Sequence, residues 1–133
     1  MVDEAERHPN AIIVGARRFE EHDISPLNRF GNRFADSWIY RVTDLSSEVL
    51  PDSQSGFRIY PLSAAAGLRP RRDHYDFESE LLILASRRGV EVRSRSVSVH
   101  YPPPDERQSH YDVWRDTVRI IATVVPFWVG LRR

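Results

Sequence analysis

The sequence contains no cysteine and no lysine among its 133 residues. The lack of cysteine excludes disulfides, thiolate nucleophiles and thiolate zinc sites. The lack of lysine excludes Schiff-base catalysis by a side-chain amine. All 19 basic residues are arginine, and 19 acidic residues balance them to a formal net charge of zero. This neutral balance argues against nucleic acid as a partner.

Long apolar runs are missing as well. Residues 1–9 are charged and lack the apolar centre of a signal peptide. No stretch reaches the roughly 18 apolar residues that a transmembrane helix needs. We therefore expect a cytoplasmic protein, or one bound peripherally to the inner membrane face. Because 41% of the residues are hydrophobic, the chain can bury a core as one domain or part of one.

One short apolar run sets the expected fold class. Residues 11–15 read Ala-Ile-Ile-Val-Gly, the pattern of a strand buried on both faces of a parallel sheet. Such a strand needs neighbours on both sides, and the segment before it is polar. The sequence therefore predicts an α/β fold, part of whose sheet lies outside this chain. Residues 57–60 alternate as a short second strand, and residues 90–101 predict a third with a bulge near Ser94 and Arg95.

Apolar residues three and four apart predict three main helices. The first starts at Ser25 and Pro26, residue types that favour the N-cap and the first helical position. Its expected buried stripe is Leu27, Phe30, Phe34, Trp38 and Val42. Arg29, Arg33 and Asp36 follow another face, where surface ion pairing is the simplest explanation.

The second helix is expected to start at an Asp76 N-cap and to end at Gly89. Its expected buried stripe is Phe77, Leu81, Leu84 and Ala85. The third helix is expected to start at Asp112, with Trp114, Val118, Ile121 and Val125 along one face. Its apolar end can either pack on the body of the domain or lie in a membrane interface, with terminal arginines at headgroup level.

Residues 52–58 combine an acid, hydroxyls, a flexible glycine and a guanidinium within seven positions. Such a turn can present Asp52 at the mouth of a site, let backbone approach a ligand at Gly56 and hold an anion with Arg58. An equally simple interpretation is a polar turn in which Arg58 pairs with Asp52.

Two carboxylates lie near the start of the second helix. Glu78 and Glu80 are two residues apart and face different sides. The helix dipole stabilises a carboxylate at Glu78, whereas Glu80 is placed to pair with Arg87 or Arg88. His110, which follows a proline-rich turn, either approaches a ligand or caps the last helix.

Three segments occur in an order that resembles one enzyme family. They are residues 52–60 (DSQSGFRIY), 75–82 (YDFESELL) and 108–111 (QSHY), preceded by Arg17-Arg18 and by Gly31-Asn32-Arg33. Over residues 11–121 the chain resembles the acceptor half of a family 2 glycosyltransferase of the polyprenyl- or dolichyl-phosphate sugar transferase type. The last helix is shorter than the paired transmembrane helices of some members.

The resemblance implies the C-terminal half of an A-type, Rossmann-like glycosyltransferase domain, with a partial sheet and three main helices. Residues 1–133 would form one partial domain that lacks the N-terminal, nucleotide-sugar-binding half with its Asp-x-Asp metal motif. Mg²⁺ or Mn²⁺ would be held mostly by that half. The whole enzyme would transfer a hexose from a nucleotide-sugar to a polyprenyl phosphate or related acceptor.

The resemblance also implies residue roles. Glu78 is the first candidate for the general base and Asp52 the second. Candidates for binding the acceptor phosphate are Arg17, Arg29, Arg33 and Arg58. Candidates for a position near the donor or metal are Ser55, Gly56 and His110.

Two further hypotheses stay open. The chain can be a non-catalytic module, derived from such an enzyme, that binds a lipid phosphate or a partner. It can also be a small arginine-rich binder of nucleic acid, which the zero net charge disfavours. The expected protein partners are an upstream donor-binding half or a second copy in a homodimer.

Overall fold

The computed structural model describes residues 1–18, 26–73, 75–99 and 113–130. Within these ranges the chain forms a mixed α/β domain with three strands and five helices. Their bounds in chain order are α1 Val2–Arg7, β1 Ile12–Arg17, α2 Pro26–Val42, β2 Arg58–Ile59, α3 Leu62–Ala65, α4 Tyr75–Arg87, β3 Val92–Val97 and α5 Val113–Trp128. The α/β class predicted from the sequence is confirmed.

The sheet has the order β2-β1-β3, with β1 in the centre. β1 runs parallel to β3 and antiparallel to β2, where Ile13 lies opposite Ile59. All residues of β1 except Arg17 are buried, which confirms the predicted buried parallel strand. Both neighbours of β1 belong to this chain, so its burial does not require a part of the sheet that lies outside the chain.

The third strand is continuous, and the predicted bulge is absent. Each residue from Val92 to Val97 pairs with one residue of β1. The change in side-chain pattern has another cause, since Glu4 of α1 forms ion pairs with Arg93 and Arg95. Arg93 and Arg95, two residues apart, therefore point to the side of β3 that meets α1. They interrupt the pattern of alternating apolar residues, but the pairing with β1 keeps its register.

Helix α4 contains a long buried segment. Every residue from position 79 to 85 is buried, including Leu82 and Ile83 at 0% exposure. The helix begins at Tyr75, so Asp76 is inside the first turn, not at the predicted N-cap. Its carboxylate accepts a hydrogen bond from the Thr123 hydroxyl at 3.3 Å. The helix stops at Gly89 with φ of +73°, as predicted.

The predicted buried stripes of α2 and α5 are confirmed only in part. Val42 is buried and the half-buried Trp38 packs against the core, whereas the side chains of Leu27 and Trp114 lie outside the described residues. In α2 the buried apolar residues are Ala35, Ile39 and Val42, and Phe30 is 68% exposed. Among the α5 residues whose side chains are described, Thr123, Val124 and Phe127 are buried, and Val118 is 62% exposed. Each of these two helices buries a narrower face than its apolar pattern offers. Ser25 and Asp112 lie outside the described residues.

Among the described residues, none of the helices has the length and apolar character required to cross a membrane.

Gly15 should be required for close packing inside the sheet. A Cβ atom at this position would lie 2.9 Å from Phe57 Cδ1, 3.1 Å from the Phe57 carbonyl oxygen and 3.1 Å from Val97 Cγ1. We expect Gly15→Ala to lower the free energy of unfolding by about 1–3 kcal/mol, as measured by urea denaturation.

The matched control is Gly67→Ala, whose Cβ would meet only the end of the Arg88 side chain. It should change the free energy of unfolding by less than about 1 kcal/mol in either direction. Equal effects of the two substitutions would contradict the close approach at Gly15.

Candidate functional site

The segment 52–58 is fastened to the start of α4 by one buried guanidinium. The Arg58 side chain is 1% exposed. Its Nε donates to the Ser55 carbonyl at 2.7 Å, and its Nη2 donates to the Ser53 carbonyl at 2.7 Å. Its Nη1 donates to the Glu78 carbonyl at 2.9 Å. Arg58 therefore joins the glycine-containing turn to the helix in a single unit.

This arrangement places the Glu78 carboxylate over the turn. A Cβ atom at Gly56 would lie 3.2 Å from Glu78 Oε1, so a side chain here would push the carboxylate a few tenths of an ångström away from the backbone. The Glu78 side chain is 39% exposed, and its Oε2 lies 4.0 Å from Arg58 Nη2. Four residues predicted from two separate motifs thus meet here: Ser55, Gly56, Arg58 and Glu78.

Arg58 does not face solvent, so its position does not favour the predicted role in binding an acceptor phosphate. Its guanidinium is engaged by the three backbone carbonyls and by the Tyr60 hydroxyl at 3.3 Å. The alternative prediction, an ion pair between Arg58 and Asp52, is wrong. Asp52 pairs with an arginine that lies 35 positions earlier in the chain.

Arg17, the last residue of β1, binds both oxygens of the Asp52 carboxylate. Its Nε donates to Oδ2 at 2.7 Å, its Nη2 donates to Oδ1 at 2.9 Å, and its backbone amide donates to Oδ2 at 3.2 Å. Asp52 is 4% exposed. Because both oxygens are engaged and covered, Asp52 is a poorer candidate for the general base than Glu78.

Asp36 is a second buried carboxyl beside Asp52, so the predicted role in surface ion pairing on α2 is wrong for this residue. It is 8% exposed, and its Oδ1 accepts hydrogen bonds from the Ser53 amide at 3.0 Å and from the Ser53 hydroxyl. Burial raises the pKa of Asp36 to about 6, and the charge of Asp52 acts in the same direction. The bonds from Ser53 and the charge of Arg17 oppose this rise.

One face of α2 carries Arg29, Arg33, Asp36 and Tyr40 at helical spacing. The Tyr40 hydroxyl donates to the Leu50 carbonyl at 2.6 Å, and burial raises the pKa of Tyr40 to about 12. The segment 50–53 therefore runs along the later turns of this face. The two arginines occupy its earlier turns, where Arg33 is exposed and Arg29 half-buried.

Glu80 is fully buried and binds backbone instead of the predicted arginine side chains. Its Oε2 accepts hydrogen bonds from the amides of Arg71 at 2.7 Å and Arg72 at 2.8 Å. Arg87 donates to the carbonyls of Val42 and Phe127. Glu80 is thus a structural carboxylate that orders the loop before α4.

The described residues contain no group of three or more histidine, cysteine, aspartate or glutamate side chains placed to hold a metal ion. His110 lies outside the described residues. An open cavity of about 340 Å³ lies at the C-terminal ends of α2 and α4, and its lining includes Arg41, Asp44 and Ser86. None of the predicted site residues lines it, so the candidate site is a surface around Glu78 and the α2 face.

Asp36 should make the protein less stable as the pH rises. A folded-state pKa of about 6, above the ordinary aspartate value of 3.8, means that the folded chain holds the proton more tightly. Stability is therefore lost as the pH rises from about 4 to about 6. Asp36→Asn should remove this loss and raise the free energy of unfolding at pH 7 by at most about 3 kcal/mol.

The measurement is urea denaturation of the wild type and Asp36→Asn at several pH values, together with a carbon-13 NMR titration of the Asp36 carboxyl. The difference between the two proteins should grow across the window from pH 4 to 6. A difference that stays constant with pH, or a carboxyl that titrates near 4, would contradict the assigned environment.

No protein-family model, no curated protein and no solved structure matches this chain. The activity is therefore inferred from its own residues and their geometry.

Proposed function

We propose that this chain is the acceptor-binding half of a family 2 glycosyltransferase. The complete enzyme moves a hexose from a nucleotide-sugar to a polyprenyl phosphate or related acceptor at the cytoplasmic membrane face. The observation that carries the proposal is the junction at Arg58. This residue joins the Asp-x-x-Ser-Gly-Phe-Arg turn to the glutamate-bearing helix start, and both segments resemble the family.

In this proposal Glu78 is the carboxylate that meets the acceptor. It is the more exposed of the two predicted catalytic carboxylates, and it lies against the backbone of Gly56. With a hydroxyl acceptor it removes the proton as the acceptor oxygen bonds to the anomeric carbon and the nucleoside diphosphate leaves. With a phosphate acceptor, which is already anionic, proton removal contributes little to the rate.

The acceptor phosphate is assigned to the earlier turns of α2. Arg33 is exposed there, and Arg29 lies four residues before it on the same face. A guanidinium binds phosphate through two parallel hydrogen bonds, a geometry that arginine offers and lysine does not. Arg17 is the less suitable third candidate, because it makes three hydrogen bonds to Asp52.

Asp52 and Asp36 are assigned positioning roles. Asp52 holds the end of β1 through Arg17, and Asp36 holds the neighbouring Ser53 through its amide and hydroxyl. A buried carboxyl with a raised pKa costs stability, and groups of this kind are concentrated at functional sites. The stability that the buried Asp36 costs is consistent with a role in positioning Ser53.

The described residues do not fit a divalent metal. Both oxygens of Asp52 accept hydrogen bonds from Arg17. Among the described residues, no three carboxylate or histidine side chains lie close enough together to hold a metal ion. Mg²⁺ or Mn²⁺ would stabilise the leaving diphosphate, and in this proposal it is held, with the nucleotide-sugar, by residues outside the described ones.

The phosphate assignment predicts that the purified chain binds geranyl phosphate and that Arg33→Gln weakens this binding at least about tenfold, because a charge-assisted bidentate contact is lost. The measurement is an NMR titration of nitrogen-15-labelled protein. Arg88→Gln is the matched control, since it removes the same charge beyond the far end of α4. Geraniol, which lacks the phosphate, should bind weakly to every variant.

Equal affinities of the Arg33 and Arg88 variants would contradict the phosphate assignment. Transferase activity is tested with UDP-glucose or GDP-mannose, Mn²⁺ and a co-expressed upstream half. Turnover that is lost in Glu78→Gln while geranyl phosphate binding persists would support catalysis. Phosphate binding without any turnover would favour the non-catalytic, lipid-phosphate-binding module.

A further inference from the structure

The third strand forms one edge of the sheet. Among the described residues, β3 pairs with β1 alone, and the strand order β2-β1-β3 leaves its other side without a neighbouring strand. The opposite edge is β2, which is only two residues long, whereas β3 has six residues. The outer edge of β3 is therefore the longer of the two edges at which another strand can extend the sheet.

Three residues of β3 direct their backbone groups away from β1. The carbonyls of Glu91 and Val97 accept hydrogen bonds from amides at the start of β1 and just beyond its end. Successive residues of a strand direct these groups to opposite edges. The N–H and C=O groups of Val92, Ser94 and Ser96 therefore point to the outer edge. Backbone groups in such a row are a template for pairing with a further strand.

The usual protection of an edge strand is missing from β3. It has no proline and no bulge, and it pairs with β1 residue by residue. Its charged side chains, Arg93 and Arg95, turn to the face that meets α1, where Glu4 forms ion pairs with both. The positions that bond outward carry only valine and serine. Natural sheets use prolines, bulges and charges to prevent association of their edges, so β3 is open to such association.

We infer that the outer edge of β3 pairs with the same edge of a second copy, in an antiparallel arrangement around a two-fold axis at Ser96. In an antiparallel pair each edge supplies the donors for the acceptors of the other. The two-fold axis closes the assembly as a dimer, because it uses both β3 edges. Each copy then contributes its three strands to one continuous sheet.

The side chains favour a second copy in this register. It places Arg93 opposite Val99 of the second copy and Arg95 opposite Val97, so the arginines of β3 face apolar side chains and not each other. Val99 is 39% exposed and Val97 is half-buried, so pairing covers apolar surface against the aliphatic stems of the arginines. An axis at Ser94 or at Arg95 would oppose arginine with arginine, and like charges directly opposite each other are destabilising.

This inference does not rest on the transferase proposal. Glu78 and Arg33 belong to α4 and α2, not to β3. Substitutions at the β3 edge should therefore leave geranyl phosphate binding unchanged, and Arg33→Gln should leave dimerisation unchanged. Failure of one proposal can thus be told from failure of the other.

The first test is sedimentation equilibrium of the purified chain over a range of concentrations. We expect a dimer with twice the chain mass of 15.5 kDa. Ser94→Pro should weaken dimerisation at least about tenfold, because each copy loses a main-chain donor at the interface. The variant should stay folded, since the Ser94 amide points away from β1 and proline is tolerated at such an edge position. A chain that is monomeric at every concentration, or a dimer that Ser94→Pro leaves unchanged, would overturn the proposal.

The second test uses the absence of cysteine from the chain. Ser96→Cys should form an intermolecular disulfide on mild oxidation, because residues that meet at the axis have Cα atoms about 5.5 Å apart, within disulfide reach. Ser94→Cys is the matched control on the same edge, since its two copies would lie more than about 10 Å apart. Cross-linking of the Ser94 variant in place of the Ser96 variant, or of both alike, would overturn the assigned pairing.

Discussion

The site depends on the burial of the Arg58 guanidinium. A buried charge is unfavourable unless hydrogen bonds replace the water that it loses. Arg58 obtains them from the carbonyls of Ser53, Ser55 and Glu78, which would otherwise lack these donors. Removing the side chain would leave several buried acceptors unsatisfied at about 1–3 kcal/mol each. The turn and the start of α4 therefore form one structural unit, and the position of Glu78 follows from it.

Three carboxyl groups around this unit have three different environments. Asp52 is covered and bound by Arg17, Asp36 is covered and accepts hydrogen bonds from Ser53, and Glu78 is partly exposed. Burial raises the pKa of Asp36 to about 6, against the opposing hydrogen bonds from Ser53 and the charge of Arg17. This distribution supports a division of labour in which the buried pair orders the segment 50–53 and the exposed glutamate meets the acceptor.

Much of the fold could be predicted because it depends on local pattern. The buried strand needed only residues 11–15, and the stop at Gly89 needed only one glycine. Contacts between residues far apart in the sequence could not be predicted. The partner of Asp52 lies 35 positions away, and burial of Asp36 depends on where the segment 50–53 folds back. Periodicity revealed apolar stripes on α2 and α5 but not which residues α4 and the sheet would cover, so Phe30 was expected in the core.

The central claim, that Arg58 assembles the site, is tested most directly by amide hydrogen exchange in Arg58→Met and Arg58→Lys, with Arg88→Met as the control. We expect both Arg58 variants to lose protection at the amides of Ser53, Phe57 and Gly15 and to lose roughly 3 kcal/mol of stability, because neither side chain can reach three carbonyls in a fork. The control should keep both properties. Unchanged protection and stability in Arg58→Met would contradict the claim, because the turn and the helix would then hold together without it.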